Sequence, residues 1–290
     1  MTSTAVLRTA AAFAELDARL CLTPEQRGVV EARRASTEEL LLRFFGPTSA
    51  LPLVGTTVIG SAGRDTMIQP LDEVDVLASF SAANGAWERY RGDSREFTGV
   101  LRRALAGVEV HVVGGQGQAL RLVCSATPDV HLVPVFGYRD GGYALPTGAG
   151  GWLPTNPDRH ASWLAAAGPH VPPTVRALKH WNRLHGSRLR AFHVEVLVGT
   201  IVGRTDAEGG QALHRVFQVC QTHLDVADPS GLGGDLSTYL TDEDRAVLGP
   251  SFRFARAHAG LALEAEAAGD HEEAISLWRI VLGPDFPAYG

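Results

Sequence analysis

Val58-Ile59-Gly60-Ser61-Ala62-Gly63-Arg64-Asp65-Thr66-Met67-Ile68-Gln69-Pro70-Leu71-Asp72-Glu73-Val74-Asp75-Val76-Leu77 carries two chemical signals a dozen residues apart. The β-branched run Thr57-Val58-Ile59 ends at Gly60-Ser61 and reads as a strand handing over to a helix. Such a turn offers backbone N–H groups and a hydroxyl to an anion, and glycine lets the backbone come close. That is a cradle for phosphate. Glu73 and Asp75 stand two apart in the second short apolar run, so on a strand their side chains leave the same face, roughly 6–7 Å apart along the chain. Two carboxylates on one face can clamp a hard divalent cation while a nucleoside triphosphate supplies the other oxygens. Alone, neither signal identifies anything; at this spacing each strengthens the other.

On the N-terminal side, residues 5–20 read as an amphipathic helix. Thr23-Pro24-Glu25-Gln26 announces a second, with Thr23 as cap, proline in the first position and Gln26 closing a capping box. On the C-terminal side, helical spacing returns at 97–105, and 108–113, 119–124 and 130–136 read as strands around the turn Gly114-Gly115-Gln116-Gly117. The stretch 137–157 is dense in glycine and proline and reads as a crossing between lobes, placing a boundary near residue 150. Beyond it nearly everything is helical: 159–167, 174–185, 192–202, 213–224, 242–248, 252–268 and 271–282, the last two as a packed hairpin around Gly269-Asp270.

Composition limits the function classes. In 290 residues, 26 Lys+Arg oppose 32 Asp+Glu, a formal charge of −6, so a broad basic face for nucleic acid is not expected. Cys21, Cys124 and Cys220 are far apart and form no metal-ligand pair, which reads as buried thiols in a reducing compartment. Glu15 and Asp17 interrupt the apolar N-terminal stretch as no signal peptide allows, and no apolar run approaches the about 18 residues of a membrane span. A cytoplasmic protein without membrane attachment is expected.

The Gly-Ser turn followed by acid-x-acid resembles the signature of the DNA polymerase β-like nucleotidyltransferases. With Arg64, Thr66 and Pro70 in between, it resembles the narrower pattern of the bacterial cGAS/DncV-like nucleotidyltransferases, relatives of cyclic GMP-AMP synthase and oligoadenylate synthase. Further blocks similar to theirs run nearly the length of the chain: His131-Leu132-Val133-Pro134-Val135-Phe136, residues 151–160, Val175-Arg176-Ala177-Leu178-Lys179-His180-Trp181-Asn182, residues 192–197, residues 228–233, and Trp278 with residues 282–287. The resemblance implies an α+β, bilobal enzyme, with a mixed-sheet nucleotidyltransferase lobe and N-terminal helices over 1–150 and a helical lobe over 151–290. It implies that Gly60 and Ser61 hold the triphosphate, that Arg64 and Thr66 join the nucleotide site, that Glu73 and Asp75 bind magnesium or manganese, and that Lys179 reaches the triphosphate from the helical lobe. It also leaves room for a regulatory protein partner.

Three positions depart from that pattern. Glu73 stands where the first metal acid is usually Asp, and Ala191 where a serine often offers a second hydroxyl. His131 occupies the place of the third acid. That acid helps activate the attacking hydroxyl, and an imidazole suits manganese or zinc better than magnesium. Asp129 leaves the same strand face and could replace the missing acid only if the metal shifted. The expected activity is condensation of nucleoside triphosphates into a cyclic or short linear oligonucleotide with release of pyrophosphate, an alarm signal in defence against phage. The alternative is a catalytically degenerate homologue that binds nucleotides as a sensor or decoy, with His131 as the discriminating residue. A third reading, an RNA 3′-end nucleotidyltransferase, is disfavoured by the acidic balance.

Overall fold

The computed structural model describes residues 6–107, 109–113, 118–138 and 141–290, so the Gly114–Gly117 turn lies outside it. The chain divides into two compact units. The sheet unit holds residues 22–64 and 70–161. The helical unit holds residues 6–21, 65–69 and 162–290. The expected boundary near 150 falls instead between Ala161 and Ser162, and the first helix and a five-residue segment of the motif region go with the C-terminal part.

In the sheet unit, α2 (Pro24–Phe44) begins with the capping box read from sequence: Gln26 N donates to Thr23 Oγ1 at 3.2 Å and Thr23 N to Gln26 Oε1 at 2.9 Å. The chain continues through β1 (Leu53–Val58), the single turn α3 (Gly60–Gly63), β2 (Glu73–Phe80), α4 (Ala86–Tyr90) and α5 (Ser94–Ala104). It then runs through β3 (Val110–Val113), β4 (Ala119–Leu122), β5 (Asp129–Gly137), β6 (Tyr143–Pro146) and β7 (Trp152–Thr155). The strand order is β1-β2-β5-β4-β3, with β6 joined to β5 and β7 to β6. Among the described strands only β2 and β5 run parallel, so the sheet is mixed. Two-residue alternation decides its faces: Val74, Val76, Ala78 and Phe80 of β2 are buried, as are Val130, Leu132 and Phe136 of β5. Phe97 of α5 packs on Phe136 with ring centroids 4.7 Å apart and edge-on to Phe80 at 5.4 Å, the offset geometries aromatic rings prefer.

The crossing expected over 137–157 is largely a hairpin, β6 with β7. Its prolines are tolerated because Pro146 ends β6 and Pro154 lies on an edge strand, where a missing N–H leaves no ladder bond broken.

The helical unit comprises α1 (Thr9–Leu20), the end of α6 (Pro157–Ala166), α7 (Val171–Leu184), α8 (Ala191–Val202), α9 (Gly209–Cys220), α10 (Asp242–Ala267) and α11 (His271–Leu282). Its core centres on Trp181, which stacks on Phe252 at 4.5 Å and tilts against Phe217 at 5.4 Å. The two helices expected over 242–248 and 252–268 are one, α10, passing through Pro250. Leu248, Phe252, Ala255, Ala259 and Ala262 form one buried stripe on both sides of the proline, and burying that stripe outweighs the roughly 3 kcal/mol an interior proline costs. Among the described residues no helix is long and apolar enough to cross a membrane.

Candidate active site

The Gly-Ser turn and the two acids meet in the sheet unit. Ile59 N donates to Asp75 O at 2.9 Å, which brings the end of β1 beside Asp75. Gly60 has φ +65°, and a Cβ there would stand 2.0 Å from Asp75 Oδ2. Only glycine fits, because the left-handed backbone and the Asp75 carboxylate both exclude a side chain. Ser61 follows in α3, and Gly63 turns the chain so tightly that a Cβ would meet Val58 O at 2.5 Å. Glu73 and Asp75 leave the polar face of β2 with side chains 58% and 36% exposed.

His131 lies opposite Asp75 in the parallel β2–β5 register. Its Nε2 is 3.2 Å from Glu73 Oε2 and its Nδ1 3.6 Å from Asp75 Oδ1, so the ring stands between the two acids. The contact with Asp75 raises its pKa above the ordinary imidazole value, with the charges of Glu73 and Asp75 adding to this and burial opposing it. Asp129, the reserve acid, is committed elsewhere. It accepts from Cys124 N at 3.0 Å and from Arg121 Nε at 2.8 Å and Nη2 at 2.6 Å, and these donors, the Cys124 amide foremost, hold it below the usual carboxylate range. Arg121 is a site residue the sequence reading missed; its one signal was a lone cation in the apolar strand Ala119-Leu120-Arg121-Leu122.

A divalent cation fits part of this set. Glu73 and Asp75 offer hard oxygens beside a turn suited to phosphate, the combination that magnesium or manganese shares with a nucleotide. The third position is an imidazole, and among the described residues no three His, Cys, Asp or Glu side chains are gathered to hold a metal by themselves.

The remaining expected residues are in or next to the helical unit. Arg64 is the last residue of the sheet unit before the Asp65–Gln69 segment. Thr66 is fully buried, its hydroxyl donating to Glu195 Oε1 at 2.6 Å. Lys179 is also buried, with Nζ 2.7 Å from Glu195 Oε1, 3.0 Å from Thr66 O and 3.2 Å from Thr66 Oγ1. Arg176 pairs with Asp17 through Nε at 2.7 Å and Nη2 at 2.8 Å, and its Nη1 donates to Asp65 O. Arg183 Nη1 donates to Gln69 O at 2.6 Å. Ala191 opens α8, whose Glu195 completes the Lys179 pair.

No family model matches the chain. A probable cyclic nucleotide synthase of Bacillus cereus is 23% identical over 312 residues, covering 92% of this chain and 94% of that protein. A cyclic AMP-AMP-AMP synthase of an Acinetobacter species is 26% identical over 177 residues, covering 55% and 51%. Among solved structures, E. coli MS115-1 CdnC with ATP superposes with a TM-score of 0.75 at 16% identity, covering 97% of this chain and 99% of that one. The Vibrio cholerae DncV cyclic AMP-GMP synthase, in complex with a linear intermediate, gives 0.71 at 12% identity over 97% and 98%. CdnC has also been solved in complex with a HORMA protein. This chain therefore has the α+β nucleotidyltransferase fold of CdnC and DncV, and it resembles the bacterial cGAS/DncV-like nucleotidyltransferases in sequence over nearly its whole length.

Proposed function

We propose that this protein is a nucleotidyltransferase that joins nucleoside triphosphates into a cyclic or short linear oligonucleotide, releasing pyrophosphate. The observation that carries the reading is the contact of Asp75 with Gly60, which puts a phosphate-type turn and a metal-type carboxylate pair in one place. Gly60 and Ser61 receive the triphosphate, with Arg64 at the exit of the turn. Glu73 and Asp75 hold magnesium or manganese. When bound, the ion neutralises phosphate charge and lowers the pKa of the attacking hydroxyl. In each step the hydroxyl oxygen of one nucleotide bonds to the α-phosphorus of the next, the bond to pyrophosphate breaks, and the hydroxyl proton passes to a base. His131, between the two acids, is the side chain placed to take it when its ring is unprotonated. The resemblance suggests that the product is an alarm signal against phage and that a protein partner regulates its synthesis.

A second reading has its own support. A ring bridging Glu73 and Asp75 in place of a third acid is what a site retaining nucleotide but not turnover would keep. One experiment separates the two: the protein is incubated with ATP, GTP, CTP and UTP plus magnesium or manganese, following pyrophosphate, products and thermal melting. Turnover supports the enzyme. A melting shift without turnover, corresponding to about 2.7 kcal/mol at a hundredfold excess over Kd, supports the binding module. No shift with any nucleotide at millimolar concentration defeats both. The Glu73→Ala/Asp75→Ala protein should lose the response while remaining folded, since both acids leave the polar face of β2 rather than its core.

A further inference from the structure

Three cations at positions 176, 179 and 183 share one face of α7, being three and four residues apart. Each donates to a main-chain carbonyl of the same short segment: Arg176 to Asp65 O, Lys179 to Thr66 O and Arg183 to Gln69 O. The segment is fixed at other points too. Gln69 N donates to Leu20 O at 3.0 Å and Gln69 Nε2 to Cys21 O at 3.0 Å. The Thr66 hydroxyl donates to Glu195.

This restraint surrounds a strained backbone. Asp65 has φ +55°, a left-handed conformation in a residue with a side chain. Such strain persists only where neighbours over-determine it, and it gathers at functional sites. Here Arg176 holds the Asp65 carbonyl and lies 3.6 Å from its carboxylate. The segment occupies the chain between the two halves of the site, four residues after Ser61 and four before Glu73.

We propose that Arg176 and Arg183 are positioning residues for nucleotide and metal binding. With Lys179 they form a ladder along α7 that pins Asp65–Gln69, and the pinned segment fixes the exit from the Gly60-Ser61 turn and the approach to Glu73. α7 thus serves the site through main-chain carbonyls. The inference rests on the reading of that turn as the triphosphate site.

The test compares wild type with Arg183→Gln, Arg183→Lys and Arg176→Lys. Arg188→Gln, which breaks an ion pair with Asp244 away from the ladder, is the control. Arg183 is exposed, so its variants should fold. Amide hydrogen exchange over 60–75 is measured without ligand. Mn2+ binding in the presence of each of the four triphosphates is then titrated by electron paramagnetic resonance. We expect Arg183→Gln to speed exchange over 60–69 and to weaken Mn2+–triphosphate binding about five- to tenfold, the worth of one such hydrogen bond. Arg183→Lys should restore most of the binding, Arg176→Lys should repeat the loss, and Arg188→Gln should change neither reading. Exchange and binding equal to wild type in both Arg183→Gln and Arg176→Lys would overturn the proposal. Wild-type protein that takes up no Mn2+ with any triphosphate overturns the nucleotide-site reading, and the exchange measurement then decides the ladder by itself.

Discussion

At position 131 a single side chain bears on what the proposed site can do. His131 lies in register with Asp75 and touches both acids. An oxygen-preferring ion gains little from a nitrogen ligand there, so wild-type turnover should favour manganese over magnesium. His131→Asp should raise magnesium-dependent pyrophosphate release by roughly 10–100-fold, the usual scale for changes around a metal site, as initial rates with each metal will show. A slower Asp variant would instead make His131 an adapted base or ligand. Much of this geometry was legible in the sequence, because a two-residue strand period and a Gly-Ser turn are local properties. The commitment of Asp129 was not. It depends on Arg121 arriving from β4, and a sequence shows which face a side chain leaves by but not which neighbour meets it there.

Among the elements, the α7–α8 pair carries a buried ion pair. Lys179 and Glu195 are both buried and bonded at 2.7 Å. Glu195→Ala leaves a buried ammonium without its carboxylate and should cost about 3–5 kcal/mol in urea unfolding, whereas Lys179→Met with Glu195→Leu, which removes both charges, should cost much less. Equal losses in the two proteins would show that packing, not charge, dominates there. Helices were the most legible elements because their buried stripes repeat over several turns. α10 ran past its expected break because Pro250 is a strong local signal, overridden by a core the local sequence does not display. The β6–β7 hairpin was hidden for a related reason: its glycines and prolines read as loop, and only pairing with β5 makes them strand.

For the whole molecule, two histidines in different units set opposing responses to acid. Burial holds His193 below its ordinary pKa, with Nε2 bonded to Leu224 O at 2.7 Å and Nδ1 to the Tyr239 hydroxyl at 2.9 Å. Below a pH of about 6.5 the unfolded chain binds a proton at this residue that the folded chain refuses, so stability falls until the lower folded pKa is passed. His131, raised by Asp75 and Glu73, has the opposite sign. Its contribution is fully present below the unfolded pKa and disappears as pH rises through the folded one. Urea midpoints between pH 5 and 8 should therefore show a shallower acid limb in His193→Gln and a steeper one in His131→Ala. A limb unchanged by either substitution would assign the acid response to other groups. The course of the chain has a consequence of its own. It passes between the units at residues 21–22, 64–65, 69–70 and 161–162, so no single cut yields the helical unit intact. A gene split after Ala161 would strand α1 and the pinned segment on the wrong fragment, and complementation between the halves would require the helical fragment to recruit both back from its partner.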